Sequence, residues 1–180
     1  MSRALYLLCV LAFLGAADTL YYHEWRAQLP CMGKNARSEL LLHAFRDFVY
    51  SILFITLPWI AWQGAWAITL AALLLTEIVL TLWDFVVEDW VRKPLGGLYP
   101  GERVMHAVMG ILYGAMLAFL GPSLWNWWAA PTGLAVSPVL VISAARWALS
   151  IMGIAVLLSG VRDLSAAYEL PGSAWPWIRR

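Results

Sequence analysis

The fold is decided by the stretch AWAITLAALLLTEIVLTLWDFVVED, residues 65–89. It is apolar over a length that crosses a membrane, since a spanning helix needs about 20 such residues. Its acids Glu77, Asp84 and Glu88 follow one another at intervals of seven and four residues. Those intervals put the three carboxylates on one stripe of a helix. Because a carboxylate is expensive inside lipid, the stripe indicates a functional interior.

The composition of the whole chain is that of an integral membrane protein. Of its 180 residues, 62% are hydrophobic and 13% are charged, whereas about a quarter of the residues in soluble domains are charged. The length suits a single domain. The net charge is +1 and the sequence has no long basic run, which excludes a protein that binds nucleic acid.

Five apolar segments predict an all-α bundle of five transmembrane helices joined by short loops. The spans are expected at about residues 4–22, 40–62, 65–87, 104–120 and 139–160. The bundle would take up residues 1–164. Residues 165–180, which mix polar and aromatic side chains, would form an interfacial tail in the cytoplasm.

The basic residues set the orientation, because Lys and Arg accumulate in cytoplasmic loops. In the predicted threading Arg3 is the only basic residue in the loops and ends of one face. The opposite face carries Arg26, Lys34, Arg37, Arg92, Lys93, Arg103, Arg162, Arg179 and Arg180. We therefore expect the N-terminus outside and the C-terminus in the cytoplasm, with a bacterial inner membrane as the location.

This threading brings the polar residues of four segments to the same depth at the cytoplasmic face. Three pairs of residues, each four apart and so on one helix face, meet there: Glu39 with His43, Asp84 with Glu88, and Glu102 with His106. Asp47, one turn beyond His43, and Asp18, four residues before Tyr22, are further candidates. His23 is the least expected member, because a regular α-helix turns it aside from Asp18.

Carboxylates and imidazoles that converge from several helices are typical of a carboxylate-rich metal centre. Soluble di-iron bundles combine Glu-x-x-His pairs with single glutamates, and the pairs here resemble them in arrangement only, because they are spaced one residue wider. Oxygen and nitrogen ligands suit iron or manganese. We expect two metal ions, iron first, with manganese or zinc as alternatives. The predicted ligands are Glu39, His43, Asp84, Glu88, Glu102, His106, Asp18, Asp47 and His23.

A centre of this kind at the cytoplasmic face predicts a metal-dependent membrane oxidoreductase of the di-iron type. Its substrate would be a membrane lipid or another hydrophobic molecule that is hydroxylated, desaturated or cleaved, and its partner an electron donor. Four alternatives stay open. They are a zinc-dependent membrane hydrolase using His23, His43 and His106, a cation or proton transporter using the acidic cluster, haem ligation by His43 and His106, and a plain interfacial cluster of paired charges.

Two charged residues lie deeper in the predicted spans. Glu77 is about two turns beyond Asp84, and Arg146 lies inside the fifth span. They are predicted to form a buried ion pair or to anchor a polar group of the substrate. The sequence leaves open whether the fifth helix reaches the metal centre through Arg162 and Asp163.

Overall fold

The computed structural model describes residues 1–138 and 141–177. Within them, four helices are long and apolar enough to cross a membrane: Ser2–Arg26, Ala65–Val91, Pro100–Trp128 and Ser143–Ala167. The chain is mostly helical, as its composition predicts. The start of the fifth predicted span, at residues 139–140, and the basic residues Arg179 and Arg180 lie outside the described residues.

The elements of the described chain are six α-helices, two strands and three other helical segments. Their bounds are α1, Ser2–Asp18, followed by a π-helical segment, Thr19–Arg26; α2, Leu29–Met32, with a 3₁₀ turn, Gly33–Ala36; α3, Arg37–Thr56; β1, Ile60–Gln63; α4, Ala65–Val91, with a 3₁₀ turn, Lys93–Leu95; α5, Pro100–Trp128; β2, Gly133–Val136; and α6, Ser143–Ala167.

Several helices are longer than the predicted spans. α4 continues to Val91 instead of ending near residue 87, and α5 begins at Pro100 instead of residue 104. Glu88 and Glu102, the acids in these added turns that are buried, face the interior of the bundle and so do not end the helices. α5 also runs through Pro122 to Trp128. The loop predicted over residues 121–138 is therefore wrong in its first half, since neighbouring groups in a membrane bundle can compensate for a proline's missing donor.

The all-α fold fits the structure, and two short strands are added to it at one end of the bundle. α3 ends at Thr56, two residues before Pro58, because a proline has no N–H to continue the helical hydrogen bonds. The chain then extends into β1, where a continuation of the second span had been predicted. β1 pairs antiparallel with β2, with Ile60 opposite Val136.

The five long helices close a ring in which α3 packs against α6 and α4, and α1 packs against α5 and α6. A contact between α4 and α5 completes the ring. Each helix contributes buried apolar side chains to one core, among them Leu8, Leu53, Leu70, Met116 and Leu149. The polar cluster lies at one end of this ring and the two strands lie at the other.

α3 and α6 approach each other closely at two glycines of α6. A Cβ added at Gly160 would lie 2.9 Å from the Cβ of Asp47, and one added at Gly153 would lie 2.7 Å from a side-chain carbon of Ile55. Small residues let membrane helices pack backbone to backbone. This crossing holds the polar part of α3 against α6.

Replacing Gly160 by leucine should destabilise the protein, because the new side chain would be driven into Phe48 and the backbone of Ala44. Overpacking of this kind costs about 1–3 kcal/mol. The matched control is Gly114→Leu on α5, where an added Cβ meets no atom within 4 Å. Thermal unfolding in detergent measures both variants, and equal losses would contradict the close crossing.

Candidate metal centre

All three histidines and most of the predicted acidic ligands lie together at one end of the ring. They come from the C-terminal ends of α1 and α4 and the N-terminal ends of α3 and α5. Eight of the nine predicted ligands are buried and none of the eight is more than 8% exposed: Asp18, His23, Glu39, His43, Asp84, Glu88, Glu102 and His106. The ninth, Asp47, is half-buried and lies where α3 crosses α6, with its Cβ 2.9 Å from a Cβ added at Gly160.

His23 is brought into the cluster by a change of helical winding, which corrects the prediction that it faces away from Asp18. From Thr19 to Arg26 the helix is π-helical, so residues five apart lie on one face. The Nε2 atom of His23 is 3.5 Å from Oδ2 of Asp18. The same segment packs closely on α5, where the Tyr22 hydroxyl occupies the space that a side chain at Gly101 would need.

One group of potential ligands surrounds His106. Its Nε2 atom lies 3.1 Å from Oδ2 of Asp18, and its Nδ1 atom lies 3.3 Å from Oε1 of Glu88. His23 Nε2 is 3.3 Å from Oε1 of Glu102. Ligand atoms of Asp18, His23 and His106 all lie within 4.8 Å of one another. An ion about 2.1 Å from each ligand holds neighbouring ligand atoms about 3.0–3.5 Å apart, so the spacing fits a single ion.

A second group surrounds His43. Its Nε2 atom is 3.3 Å from Oδ2 of Asp84 and 3.9 Å from Oε1 of Glu39. Its Nδ1 atom is 3.9 Å from Oδ2 of Asp163, so α6 also reaches the cluster. Arg46 donates a 2.7 Å hydrogen bond to Oδ2 of Asp84. This oxygen is therefore held by a guanidinium and faces an imidazole.

The two groups touch through their imidazoles. The rings of His23 and His43 are stacked, with centroids 4.5 Å apart and planes 8° from parallel. His106 presents its edge to His23, at 6.3 Å between centroids, and stacks on Phe85 at 5.3 Å. The three imidazoles therefore form one contiguous cluster.

Arg92 bridges the carboxylates of the two groups. Its Nε atom donates to Oε1 of Glu39 at 2.9 Å, and its Nη2 atom lies 2.8 Å from the same oxygen and 3.2 Å from Oε1 of Glu102. The residue is fully buried, although the sequence analysis counted it among the exposed loop cations. Burial alone would lower the pKa of Arg92, but the hydrogen bond to Glu39 and the charges of both carboxylates raise it above its usual value.

Several polar atoms of the cluster are buried without a hydrogen-bond partner among the described residues. They include Asp18 Oδ1, His23 Nε2, His43 Nε2, Asp84 Oδ1, Glu88 Oε2 and Glu102 Oε2. The two imidazole nitrogens lie near carboxylate oxygens, but in directions that make no hydrogen bond. A buried unpaired polar group costs about 1–3 kcal/mol. Such atoms on four different helices indicate that the cluster is directed at a shared ligand.

The cluster also carries an excess of buried negative charge. Five buried carboxylates, at positions 18, 39, 84, 88 and 102, face the guanidinium groups of Arg46 and Arg92. With Asp163, which is buried beside His43, six carboxylates and two guanidinium groups would leave four negative charges on the described residues of the cluster if all are ionised. An uncompensated charge is costly in a medium of low dielectric. Protons on the three imidazoles or metal cations can balance it, and the two would compete for the same atoms.

Glu77 lies deeper, in a separate polar network. It is buried and accepts hydrogen bonds from the Tyr50 hydroxyl at 2.8 Å and from Thr81 Oγ1 at 2.6 Å. The guanidinium of Arg146 lies over the ring of Trp59, 5.3 Å from its centroid. Since Tyr50 and Trp59 are nine residues apart in the chain, these contacts lie at different depths. The ion pair between Glu77 and Arg146 stays a prediction.

Sequence reasoning missed the two arginines of the cluster and left Asp163 undecided. Arg92 follows Glu88 by four residues, which places it on the same helix face. Arg46 lies inside a predicted span, where a charged side chain needs a partner. Both signals were present in the sequence. Arg162, considered together with Asp163, instead pairs with Glu24 at the rim of the bundle.

Comparison of the chain with protein-family models, with curated proteins and with solved structures finds no match in any of the three. A fold alone does not determine a function, which depends on the chemistry of specific residues. The function is therefore argued from the geometry, burial and charge of the cluster.

Removing the charge of Arg92 should destabilise the protein strongly. In Arg92→Met the carboxylates of Glu39 and Glu102 lose their shared cation, and breaking a buried ion pair on one side typically costs about 3–5 kcal/mol. Adding Glu39→Gln to Arg92→Met should recover part of that loss. Chemical unfolding in detergent measures the single and double variants. Strictly additive effects would show that Arg92 and Glu39 do not interact.

Proposed function

We propose that this chain is a metal-dependent membrane oxidoreductase that holds two ions between its helices near the cytoplasmic face and oxidises a lipid-like substrate. The fifth span in this proposal is α3. Its 20 residues rise about 30 Å at 1.5 Å per residue, the thickness of a bilayer core. Its charged residues Glu39 and Arg46 pair with α4 inside the bundle, which allows it to span although it is less apolar than the other helices.

The close spacing of buried carboxylate and imidazole atoms is the observation that carries the proposal. One ion would be held by Asp18, His23 and His106, with Glu88 and Glu102 beside them. The other would be held at His43 by Glu39, Asp84 and Asp163. Asp47 is left out because it is only half-buried and lies against Gly160 of α6.

The donor set favours iron or manganese. All potential ligand atoms of the cluster are carboxylate oxygens and imidazole nitrogens, a mixture that suits these metals, whereas copper(I) selects sulfur. When bound, the ions would supply redox chemistry toward a substrate carbon, with electrons from a cytoplasmic donor. The chain's own residues position that chemistry. Arg92 holds Glu39 and Glu102 in place, and Arg46 fixes the carboxylate of Asp84.

A zinc hydrolase is the second candidate, because the three imidazoles form one cluster and three histidines can hold a catalytic zinc. The excess of buried carboxylates favours two ions of an oxygen-loving metal instead. A transporter is less favoured. The described core beyond Glu77 contains apolar side chains such as Leu53, Leu70 and Leu120, which give a cation no polar surroundings. Haem is disfavoured because carboxylates and other rings already contact His43 and His106.

Metal content should depend on the buried Glu88 and not on its exposed neighbour Asp89. Glu88→Gln should lower the metal bound per chain, because it removes a charge that faces His106. Asp89→Asn is the matched control, since Asp89 is exposed and pairs with Arg103 at 3.7 Å. Elemental analysis of the purified variants measures both.

Two histidine variants complete this experiment. His43→Ala and His106→Ala should each lower the metal content by about one ion, and two ions of iron or manganese are expected in the unchanged protein. Addition of metal to the stripped protein should release protons, because ligands must be deprotonated to bind. Normal metal content in both histidine variants would overturn the assignment, and one zinc per chain would favour the hydrolase.

The proposed orientation puts the turn between α4 and α5 in the cytoplasm. A reporter that is active only in the cytoplasm should be active when inserted at Gly96–Gly97 or fused after the C-terminus, and inactive at Ala130 between α5 and β2. The reason is the accumulation of basic residues around the first two positions. A reporter that is active at Ala130 and inactive at Gly96–Gly97 would show the opposite orientation, with the cluster at the outer face.

A further inference from the structure

A cleft of about 270 Å³ opens between α4 and α5 directly beside the cluster. Its lining consists of Phe85, Glu88, Leu98, Arg103, His106 and Ala107. Two of these residues, Glu88 and His106, belong to the first group of potential metal ligands. A molecule in the cleft would therefore touch the cluster without displacing any helix.

A second cleft in the described part of the chain provides a contrast. It lies at the opposite end of the bundle, near β1 and β2, and its lining holds no titratable side chain. Volume alone does not distinguish the two, since the second cleft is the larger at about 370 Å³. What distinguishes the first is its contact with a histidine and a buried acid.

The mouth of the first cleft is bordered by apolar side chains that point outward. On α4, Leu82 lies one turn from Phe85 and is exposed; on α5, Val104 and Ile111 flank Ala107 and are exposed as well. Exposed apolar residues on a membrane helix face lipid. The cleft therefore opens sideways, toward the hydrocarbon chains of the bilayer.

The cleft is also polarised along its length. Arg103 lies one turn nearer the start of α5 than Ala107, and Phe85 lies one turn deeper on α4 than Asp89. The cation therefore sits at the headgroup level and the apolar lining below it. Arg103 is 3.7 Å from Asp89, and both side chains are 61% exposed. Exposed ion pairs contribute little to stability. The guanidinium of Arg103 can therefore exchange Asp89 for another anion.

We propose that this cleft is the substrate site and that it binds a single-chain amphiphile with a carboxylate head, such as a long-chain fatty acid. The head pairs with Arg103, and the chain runs past His106 and Glu88 to lie against Phe85 and Ala107. The cluster then faces the first few carbon atoms beyond the head. This inference rests on the proposed function, because it assigns the substrate class of the same centre.

The size of the cleft supports one chain. Its volume corresponds to about nine water molecules at roughly 30 Å³ each, which is room for part of one hydrocarbon chain. A two-chain phospholipid would leave its second chain outside. A neutral chain would fit the apolar lining but would leave Arg103 with only its weak, exposed pair to Asp89.

Photo-crosslinking with two matched probes tests the proposal. The protein, in nanodiscs of phosphatidylcholine, is titrated with a long-chain fatty acid that carries a diazirine near its head, and separately with the corresponding fatty alcohol. Mass spectrometry should locate the fatty-acid crosslinks on the α4 and α5 residues that line the cleft. Arg103→Gln should lower the affinity for the fatty acid about tenfold, which is the effect of losing one charge-assisted hydrogen bond. The affinity for the alcohol should stay unchanged.

Three further variants serve as controls. Arg103→Lys should restore most of the affinity, and Lys93→Gln, which removes an exposed charge stacked on Trp90 at 3.7 Å from the ring centroid, should have no effect. Ala107→Trp should block both probes by filling the cleft. Crosslinks located elsewhere, or equal fatty-acid affinity in Arg103→Gln and the unchanged protein, would overturn the proposal. Metal content is measured on the same samples, so that charge-selective labelling without metal would refute the oxidoreductase and retain the fatty-acid site.

Discussion

The central constraint is the burial of negative charge in a medium that screens it poorly. Six carboxylates, Asp163 included, and two arginines converge at one end of the helix ring and would leave four negative charges if all are ionised. A protein does not keep such an excess in a low-dielectric interior unless a cation balances it. The three imidazoles are placed where they can take protons or share metal ions with the acids. In the proposed function, protons and metal ions would compete for these same atoms.

The fold serves this cluster by bringing five helix ends to one depth. The glycines of α6 allow it to approach α3 closely, and Asp163 reaches His43 as a result. The π-helical continuation of α1 turns His23 toward Asp18, and α4 extends far enough to insert Arg92 between Glu39 and Glu102. The strands close the opposite end, away from the chemistry. The cleft beside His106 connects the cluster with the lipid.

Much of the cluster was accessible from sequence because it follows regular helical spacing. Two rules are enough to predict the pairs Glu39 with His43 and Glu102 with His106. Residues four apart share a helix face, and Lys and Arg set the orientation of the spans in the membrane. His23 was misjudged because a π-helix leaves no signal in a pattern based on 3.6 residues per turn. The short strands were missed because the apolar residues after Pro58 read as a continued span. Asp163 depends on a close crossing of α3 and α6, which spacing along one helix does not determine.

The central claim is that iron or manganese ions balance the charge of the buried carboxylates. X-ray absorption spectroscopy of the purified protein, at the absorption edge of the metal it contains, tests this most directly. The account predicts two iron or manganese ions per chain with a first shell of oxygen and nitrogen at about 2.0–2.2 Å, the range typical of carboxylate and imidazole ligands. It also predicts outer-shell scattering from imidazole rings. A sulfur shell near about 2.3 Å, or folded protein that binds neither iron nor manganese when these are supplied, would contradict it.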